Sequence, residues 1–422
     1  MQTKIALSST PFTAVPVASH RASRRSQRQG VKAYAAERNE HTGMIEKAQI
    51  VMRNALVGAA AAALLVGAPA ILPDALIPQA QAGMLSADPV KNAKALLRYA
   101  LPINNKPIRV IQKDLEQISE DLRIPGNKSL GNVSKRVRGA ASVLEREGKT
   151  IIADFAPDRK AAGTAAVDKL KTGLTEFQAL IERQDKQNVP IKQQELLSYV
   201  STIEESMVKG FPFEVPSQYA NLPQLKGRAT VEMKIEFATP RDDNATGGTM
   251  IIVADGYNAP LSAGDFIDLC RRGFYDSMEI QRADGFVVQT GKPSGDAEGF
   301  IENGEIRRIP FEVMVEGDKV PVYEETLEDN GRYNEQPRLP FNAFGTVALA
   351  RGEFEANSAS SQIFFLLKES ELTPTGSNLL DGRYAVLGYI TDNAELLKEI
   401  QNGDKIVYAK VTDGIENLKL KE

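Results

Sequence analysis

Residues 279–291 read E-I-Q-R-A-D-G-F-V-V-Q-T-G, and the fold turns on how this stretch is taken. One cation, Arg282, precedes an aromatic, Phe286, and an amide, Gln289; Val287 and Val288 add β-branched bulk and Gly291 ends the run. Such a composition predicts a strand with apolar residues on one side and hydrogen-bonding groups within reach. Alone, an Arg in a strand is an ordinary solvated or salt-bridged residue. Two later segments change that. Gly345–Arg351 reads G-T-V-A-L-A-R and leads to Ser361-Gln362-Ile363-Phe364-Phe365; Leu379–Gly388 reads L-L-D-G-R-Y-A-V-L-G.

In this order and at these spacings the three segments resemble the cyclophilin family of peptidyl-prolyl cis–trans isomerases. The resemblance covers residues 227–422, a little under half the chain. It implies an eight-stranded closed β-barrel with two helices. It also implies a chemistry that needs no nucleophile, metal or cofactor. An X-Pro bond is held planar by resonance with a barrier of ~18–20 kcal/mol, while its isomers differ by only ~0.5–1 kcal/mol, so only the barrier has to fall. A cationic donor near the proline nitrogen favours the twisted state, in which that nitrogen is a better acceptor. The resemblance gives the catalytic role to Arg282. It gives the substrate pocket and its flanks to Phe286, Val287, Gln289, Ala350, Phe364, Leu380 and Tyr384.

This chain departs from the family pattern in several places. Ile280 and Gln281 replace the aromatic and the His before the catalytic Arg, Val287 replaces a Met, Leu379 a Trp and Tyr384 a His. One residue is missing between Arg282 and Phe286. Gln281, Leu379 and Tyr384 therefore leave two functions open: a working isomerase that also helps folding, or a barrel that binds proline segments with little catalysis. A purely structural protein would leave Arg282 and its pocket unexplained.

Upstream of the barrel, the helical period dominates. Ile108, Ile111, Leu115, Ile118 and Leu122 recur at three and four residues, the mark of one helical face. Similar runs cover 132–155, 158–184 and 191–209, separated by Pro102, Pro125-Gly126, Pro157 and Pro190. They predict a helical bundle; the heptad-like first run is too short for a coiled coil. Residues 210–226 link the two parts, and Phe211, Phe213 and Tyr219 in that linker need a surface to pack on. In the second part Val231, Met233, Ile235 and Phe237 alternate with charged residues, the pattern of a half-buried antiparallel strand. Residues 258–273 read as a helix with Cys270 on its inner side, a core thiol. The segment 311–340 is long and acidic, with Glu312, Glu316, Asp318, Glu324, Glu325, Glu328, Asp329 and Glu335. It reads either as a solvated loop or as a contact for the helical domain or a basic partner.

The first 82 residues read as an address. Residues 1–38 are rich in Ser, Thr, Ala and Arg, with a first acid at Glu37, a composition that suits an organelle transit peptide. Lys47 and Arg53 then precede an uncharged Ala/Leu/Val run from Asn54 to Pro73, ending near Ala80-Gln81-Ala82. The alternative, a membrane span of ~20 residues, is disfavoured by the weakly apolar Ala-rich core and by Pro69 and Pro73. Two signals in series imply the thylakoid lumen of a chloroplast. The absence of a twin arginine just before the run favours the unfolded-export route. Removing 1–82 takes nine of 51 basic residues and four of 55 acids, leaving 42 against 51, a net charge of −9. Nucleic acid is not an expected partner, and no stable membrane span is expected. Both histidines, His20 and His41, leave with the address, which excludes Ser-His-Asp hydrolysis and ordinary zinc sites.

The predicted architecture is therefore multidomain α+β: a targeting segment 1–82, a helical bundle 83–209, a linker 210–226 and a cyclophilin-like barrel 227–422. This organisation resembles that of large two-domain lumenal cyclophilins of plants and green algae. That implies a role in photosystem II assembly and repair, with proline-containing lumenal loops of photosystem II subunits as clients. Basic residues near Lys135, Arg136 and Arg138 against the acidic segment further suggest that the helical domain packs on the barrel and covers its prolyl pocket.

Overall fold

The computed structural model describes residues 90–123, 128–241, 244–368 and 378–421. The predicted targeting segment 1–82 lies outside the described residues. No helix among the described residues is long and apolar enough to cross a membrane.

The described residues open with a short helix, α1 (Ala93–Ala100), followed by four longer ones: α2 (Lys106–Arg123), α3 (Lys128–Ala153), α4 (Lys160–Glu182) and α5 (Val189–Ser206). The apolar stripes meet in one core. Ile108, Ile111, Leu115 and Ile118 of α2 pack with Val133, Val137 and Ile151 of α3, Leu170 and Phe177 of α4, and Leu196 and Val200 of α5. Gly173 on α4 faces Leu196, whose Cδ2 would have to shift to admit a Cβ there, so glycine lets α4 and α5 approach closely. Charged residues close the bundle on itself. Arg136 pairs with Asp114 and Asp121, both at 3.2 Å.

The second part is built on strands β1 (Gln224–Leu225), β2 (Arg228–Glu236), β3 (Gly247–Asp255), β4 (Arg282–Ala283), β5 (Val287–Thr290), β6 (Ile301–Glu302) and β7 (Glu305–Ile306). The rest are β8 (Glu312–Val313), β9 (Val322–Tyr323), β10 (Thr346–Leu349), β11 (Ile363–Leu366), β12 (Val386–Asp392), β13 (Lys405–Asp413) and β14 (Leu418–Lys419). Eight of them form one antiparallel sheet in the order β13-β2-β3-β12-β10-β11-β5-β4. The sheet curls on itself. Just before β4, Glu279 bridges Lys405 of β13, with Ile280 N–H donating to Asp404 O and Ile406 N–H to Met278 O, both at 2.8 Å. One helix, α6 (Pro260–Arg271), packs with the core; the second helical element is a five-residue 3-10 turn, Ala394–Lys398. The inner face carries Val231, Met233, Ile252, Val288, Val347, Ile363, Phe365 and Leu387, joined by Phe266, Leu269 and Cys270 of α6. The alternate residues Val287, Ala348, Phe364, Leu366 and Val386 form a second apolar cluster on the other face, with Phe341.

The helix α1 stands between the two parts. Asn92 caps it, accepting from Ala95 N–H at 3.0 Å. Arg98 reaches back to Glu116 of α2 at 2.9 Å. Leu96, Leu97 and Ala100 join the outer-face cluster of the barrel. Two barrel side chains grip its carbonyls: Arg228 donates to Leu97 O, and Asn258 donates to Ala100 O at 2.9 Å. The linker aromatics are also packed. Phe211 lies against Leu101, Val208 and Tyr257, and the Tyr219 ring lies 5.1 Å from Tyr323, tilted by 43°, its hydroxyl donating to Glu324 at 2.6 Å.

The acidic segment is not a solvated loop. β8 and β9 pair in a hairpin, and Phe311, Val313, Val315 and Leu327 make a small core. Glu312 is buried against the start of α6 and accepts the N–H of Leu261 and Ser262, the unsatisfied donors that every helix start presents. Two more of its acids pair within the barrel domain: Asp318 with Arg332 and Glu328 with Arg383, each at 2.8 Å.

Candidate functional site

The barrel register sets the site. Arg282 lies opposite Gln289, Gln289 opposite Phe364, and Phe364 opposite Ala348. Opposed residues share a face of the sheet, so four strands present one row of side chains outward. Val287, two residues before Gln289, lies on the same face, opposite Leu366. Alternation therefore sends Phe365 into the core and Phe364 toward the site.

At the bottom of the pocket Phe364 is 6% exposed. Phe341 stacks on it at 5.9 Å with rings nearly parallel (6°), and Tyr384 meets its edge at 5.4 Å, 85° from parallel. Arg351 lies over the Tyr384 ring at 4.9 Å. Ala350, Leu380 and Tyr384 are half-buried members of this cluster. The L-D-G turn holds Phe341 in place. Asp381 accepts Phe341 N–H at 2.8 Å, and Asn378 donates to Phe341 O at 3.0 Å. Burial pushes the Asp381 carboxyl up to about 6, opposed by the backbone N–H groups of Phe341 and Asn378 that donate to it.

The rim is open. The side chain of Arg282 is 52% exposed, Phe286 is 41% exposed and Leu379 76%. Arg282 Nε lies 2.6 Å from Asp284 Oδ2 and Nη2 lies 2.5 Å from it. Gln289 donates to Gln362 Oε1 at 3.0 Å. The site thus sets the Asp284-paired Arg282 guanidinium beside an apolar wall and two amides, with Arg351 over Tyr384: a place to grip an apolar ring beside a hydrogen-bond donor.

The eight residues singled out in the sequence gather around this face, with Phe286 at the exposed edge. Arg282 and Phe286 at the rim are half open to solvent, while Leu96, Leu97 and Ala100 of α1 share the outer-face cluster with Phe364. Arg136 pairs inside the bundle, while Lys135 and Arg138 stay exposed. Phe341 and Tyr384 of the barrel pack directly on Phe364. Phe341 and Asp284 were not legible as site residues. Phe341 carried no motif, although Pro340 just before it marked a turn; Asp284 was visible only as the acid in the shortened segment.

Residues 241–419 match the family described as cyclophilin type peptidyl-prolyl cis-trans isomerase/CLD. Residues 92–208 match the family described as peptidyl-prolyl cis-trans isomerase CYP38-like, PsbQ-like domain. The chain is 51% identical to peptidyl-prolyl cis-trans isomerase CYP38, chloroplastic, of Arabidopsis thaliana, over 79% of this chain and 77% of that protein. This chain is a cyclophilin. A second cyclophilin, the putative thylakoid lumen peptidyl-prolyl cis-trans isomerase sll0408 of Synechocystis, is 42% identical over 81% of this chain and 87% of its own length. Peptidyl-prolyl cis-trans isomerase CYP37, chloroplastic, of Arabidopsis thaliana is 33% identical over 83% and 76%. The helical bundle and the cyclophilin barrel are thus both covered by relatives that bear the same enzyme name.

Proposed function

We propose that this cyclophilin is a peptidyl-prolyl isomerase of the thylakoid lumen, with Arg282 as its catalytic side chain. The observation that carries this reading is the row Arg282–Gln289–Phe364 across β4, β5 and β11. A proline ring set against Phe364 and Val287 places its nitrogen on the side of Arg282. Phe286, Ala350, Leu380 and Tyr384 bound the remaining sides, and Gln289 offers an amide to the client backbone. Arg282 then stabilises the twisted bond, in which the nitrogen has regained its lone pair. The lumenal address rests on the paired signals in 1–82 and on the names of the chloroplastic and thylakoid-lumen relatives. On that reading the working chain begins near Gly83, which mass spectrometry of the native N-terminus tests. A role in photosystem II assembly and repair rests on the two-domain organisation and on the PsbQ-like description of the bundle; its clients would be proline-containing lumenal loops of photosystem II subunits.

The test is Arg282→Ala in a protease-coupled assay with a proline tetrapeptide. Donors of this kind are worth ~2.7–4 kcal/mol where full charge develops. The twisted amide develops less, so the expected loss sits at or below the lower end. Unchanged turnover would remove Arg282 from its role. A second reading is favoured by the burial of Phe364 beneath Phe341 and Tyr384: a barrel that binds proline segments with weak catalysis. It predicts client binding that survives Arg282→Ala.

A further inference from the structure

Between Arg282 and Phe286 the chain carries only Ala283, Asp284 and Gly285, one residue fewer than the cyclophilin pattern. The two oxygens of Asp284 have separate partners. Oδ1 accepts the backbone N–H groups of Phe286 and Val287, each at 3.0 Å. Oδ2 takes Arg282, at 2.6 Å from Nε and 2.5 Å from Nη2. Gly285, at φ +78°, lets the chain return within so short a turn. The carboxylate is therefore fixed by the backbone of the turn, and the longer, half-exposed Arg side chain is drawn to it. The Val287 and Phe286 N–H groups, with Arg282, hold this carboxyl down at about 2, so it is charged throughout the neutral and mildly acid range. Gln289, the other group able to orient Arg282 from the neighbouring strand, is engaged with Gln362 instead.

We propose that Asp284 is a charge brake on Arg282: a positioning residue that occupies one edge of the guanidinium and cancels part of its positive charge. The inference rests on Arg282 being the catalytic donor. A guanidinium has five N–H donors arranged as a fork. Here the Nε–Nη2 edge is spent on a carboxylate, and a client meets a dipole in place of a full cation. The field of a pair falls off faster than that of a single charge, so the twisted proline nitrogen is stabilised less than by a free Arg. The pair is half exposed, so solvent screens it and the attenuation is partial.

The experiment uses the full chain and a chromogenic tetrapeptide with a central Ala-Pro, comparing wild type, Asp284→Asn, Arg282→Ala and the double variant. The Asn keeps Oδ1 as acceptor for both turn N–H groups and removes the charge. A rise in kcat/KM of about two- to fivefold, carried mostly by kcat, is expected, the scale of a half-exposed ion pair. The double variant should lose the gain. Wild-type turnover should rise with added salt, which screens the pair, and Asp284→Asn should not. Asp284→Ser, a second neutral turn-former, is expected to match Asp284→Asn, which separates the charge from any disturbance of the turn. Turnover in both neutral variants that is unchanged or lower than wild type, or a gain that survives Arg282→Ala, overturns the brake. The underlying reading fails separately: if Arg282→Ala turns over as well as wild type, Arg282 is not the donor at all. If Arg282→Ala is inactive while Asp284→Asn equals wild type, the donor stands and the brake alone is wrong.

Discussion

The helical bundle and the barrel solve the same burial problem with different geometries. Each helix of the bundle has one apolar stripe, and the stripes of α2 to α5 meet in a single core. The outward faces are then free for charge, and much of that charge closes on the bundle itself, as with Arg136 between Asp114 and Asp121. The barrel is a sheet, and a sheet has two faces. Its inner face makes the core, and its outer face is a second apolar surface on which Phe364, Val287 and Ala348 meet Phe341. That second surface is where the site lies. An element with one apolar stripe buries it and is finished; a curled sheet has a face to spare, and here the face is partly closed and partly left as a pocket.

Buried charge sets the barrel apart from the bundle most clearly at Arg307. Its guanidinium is buried between Asp265 and Asp268, each at 2.7 Å, and ties α6 to the segment that follows β7. Removing one member of such a cluster strands buried charge. Arg307→Met should cost ~3–5 kcal/mol of stability. Urea unfolding followed by tyrosine fluorescence reports it, since the chain has no Trp. A cost under ~1 kcal/mol would mean that the Arg307 cluster adds little to the barrel beyond its apolar packing.

A middle-sized effect is expected from pH in the bundle. Glu204 is fully buried, 3.2 Å from Arg109, and burial pushes its carboxyl up to about 8 despite the opposing guanidinium. Its folded value lies above its unfolded one, so folding favours the protonated form. The stabilisation is fully present below about 4.5 and is lost as pH rises through about 8. Each pH unit within that window is worth up to ~1.4 kcal/mol for one group. Glu204→Gln should therefore flatten the fall in stability between pH 5 and pH 8, read from thermal melts of the helical signal. Asp284 on the barrel rim has the opposite sign. Its carboxyl is held down at about 2, so its stabilisation is present above the ordinary value of 3.8 and is lost only as pH falls through about 2. An unaltered pH slope in the Glu204 variant would move the titration to the barrel's own buried acids, Glu312 and Asp265, both pushed up by burial to about 7.

The smallest effect belongs to the acidic segment. Glu328 pairs with Arg383 at 2.8 Å, but both side chains are more than half exposed. Glu328→Gln should change stability by less than ~1 kcal/mol, because exposed pairs are screened. A larger loss in the urea midpoint would show that this segment depends on charge in addition to its Phe311–Leu327 core.

What the sequence determined by itself is what local spacing encodes. The four long helices follow from apolar residues three and four apart, the strand β2 from alternation, and the buried thiol of Cys270 from its place on a helix. The order of Arg282, Phe286, Gln289, Phe364 and Leu380 along the chain carried the family, and with it the barrel. Tertiary structure alone decided the rest. The helix α1 is too short to declare itself by periodicity, and it is held by Arg228 and Asn258, more than a hundred residues away. Phe341 closes on Phe364 because the L-D-G turn anchors it, a pairing that no local pattern announces. The acids of 311–340 read as one charged run but found separate partners, among them a helix start and Arg383. Periodicity is a property of neighbours along the chain and can be read there. The choice of partner for a charge or a ring is settled only when distant segments are brought within a few ångströms, where burial makes an unpaired group costly.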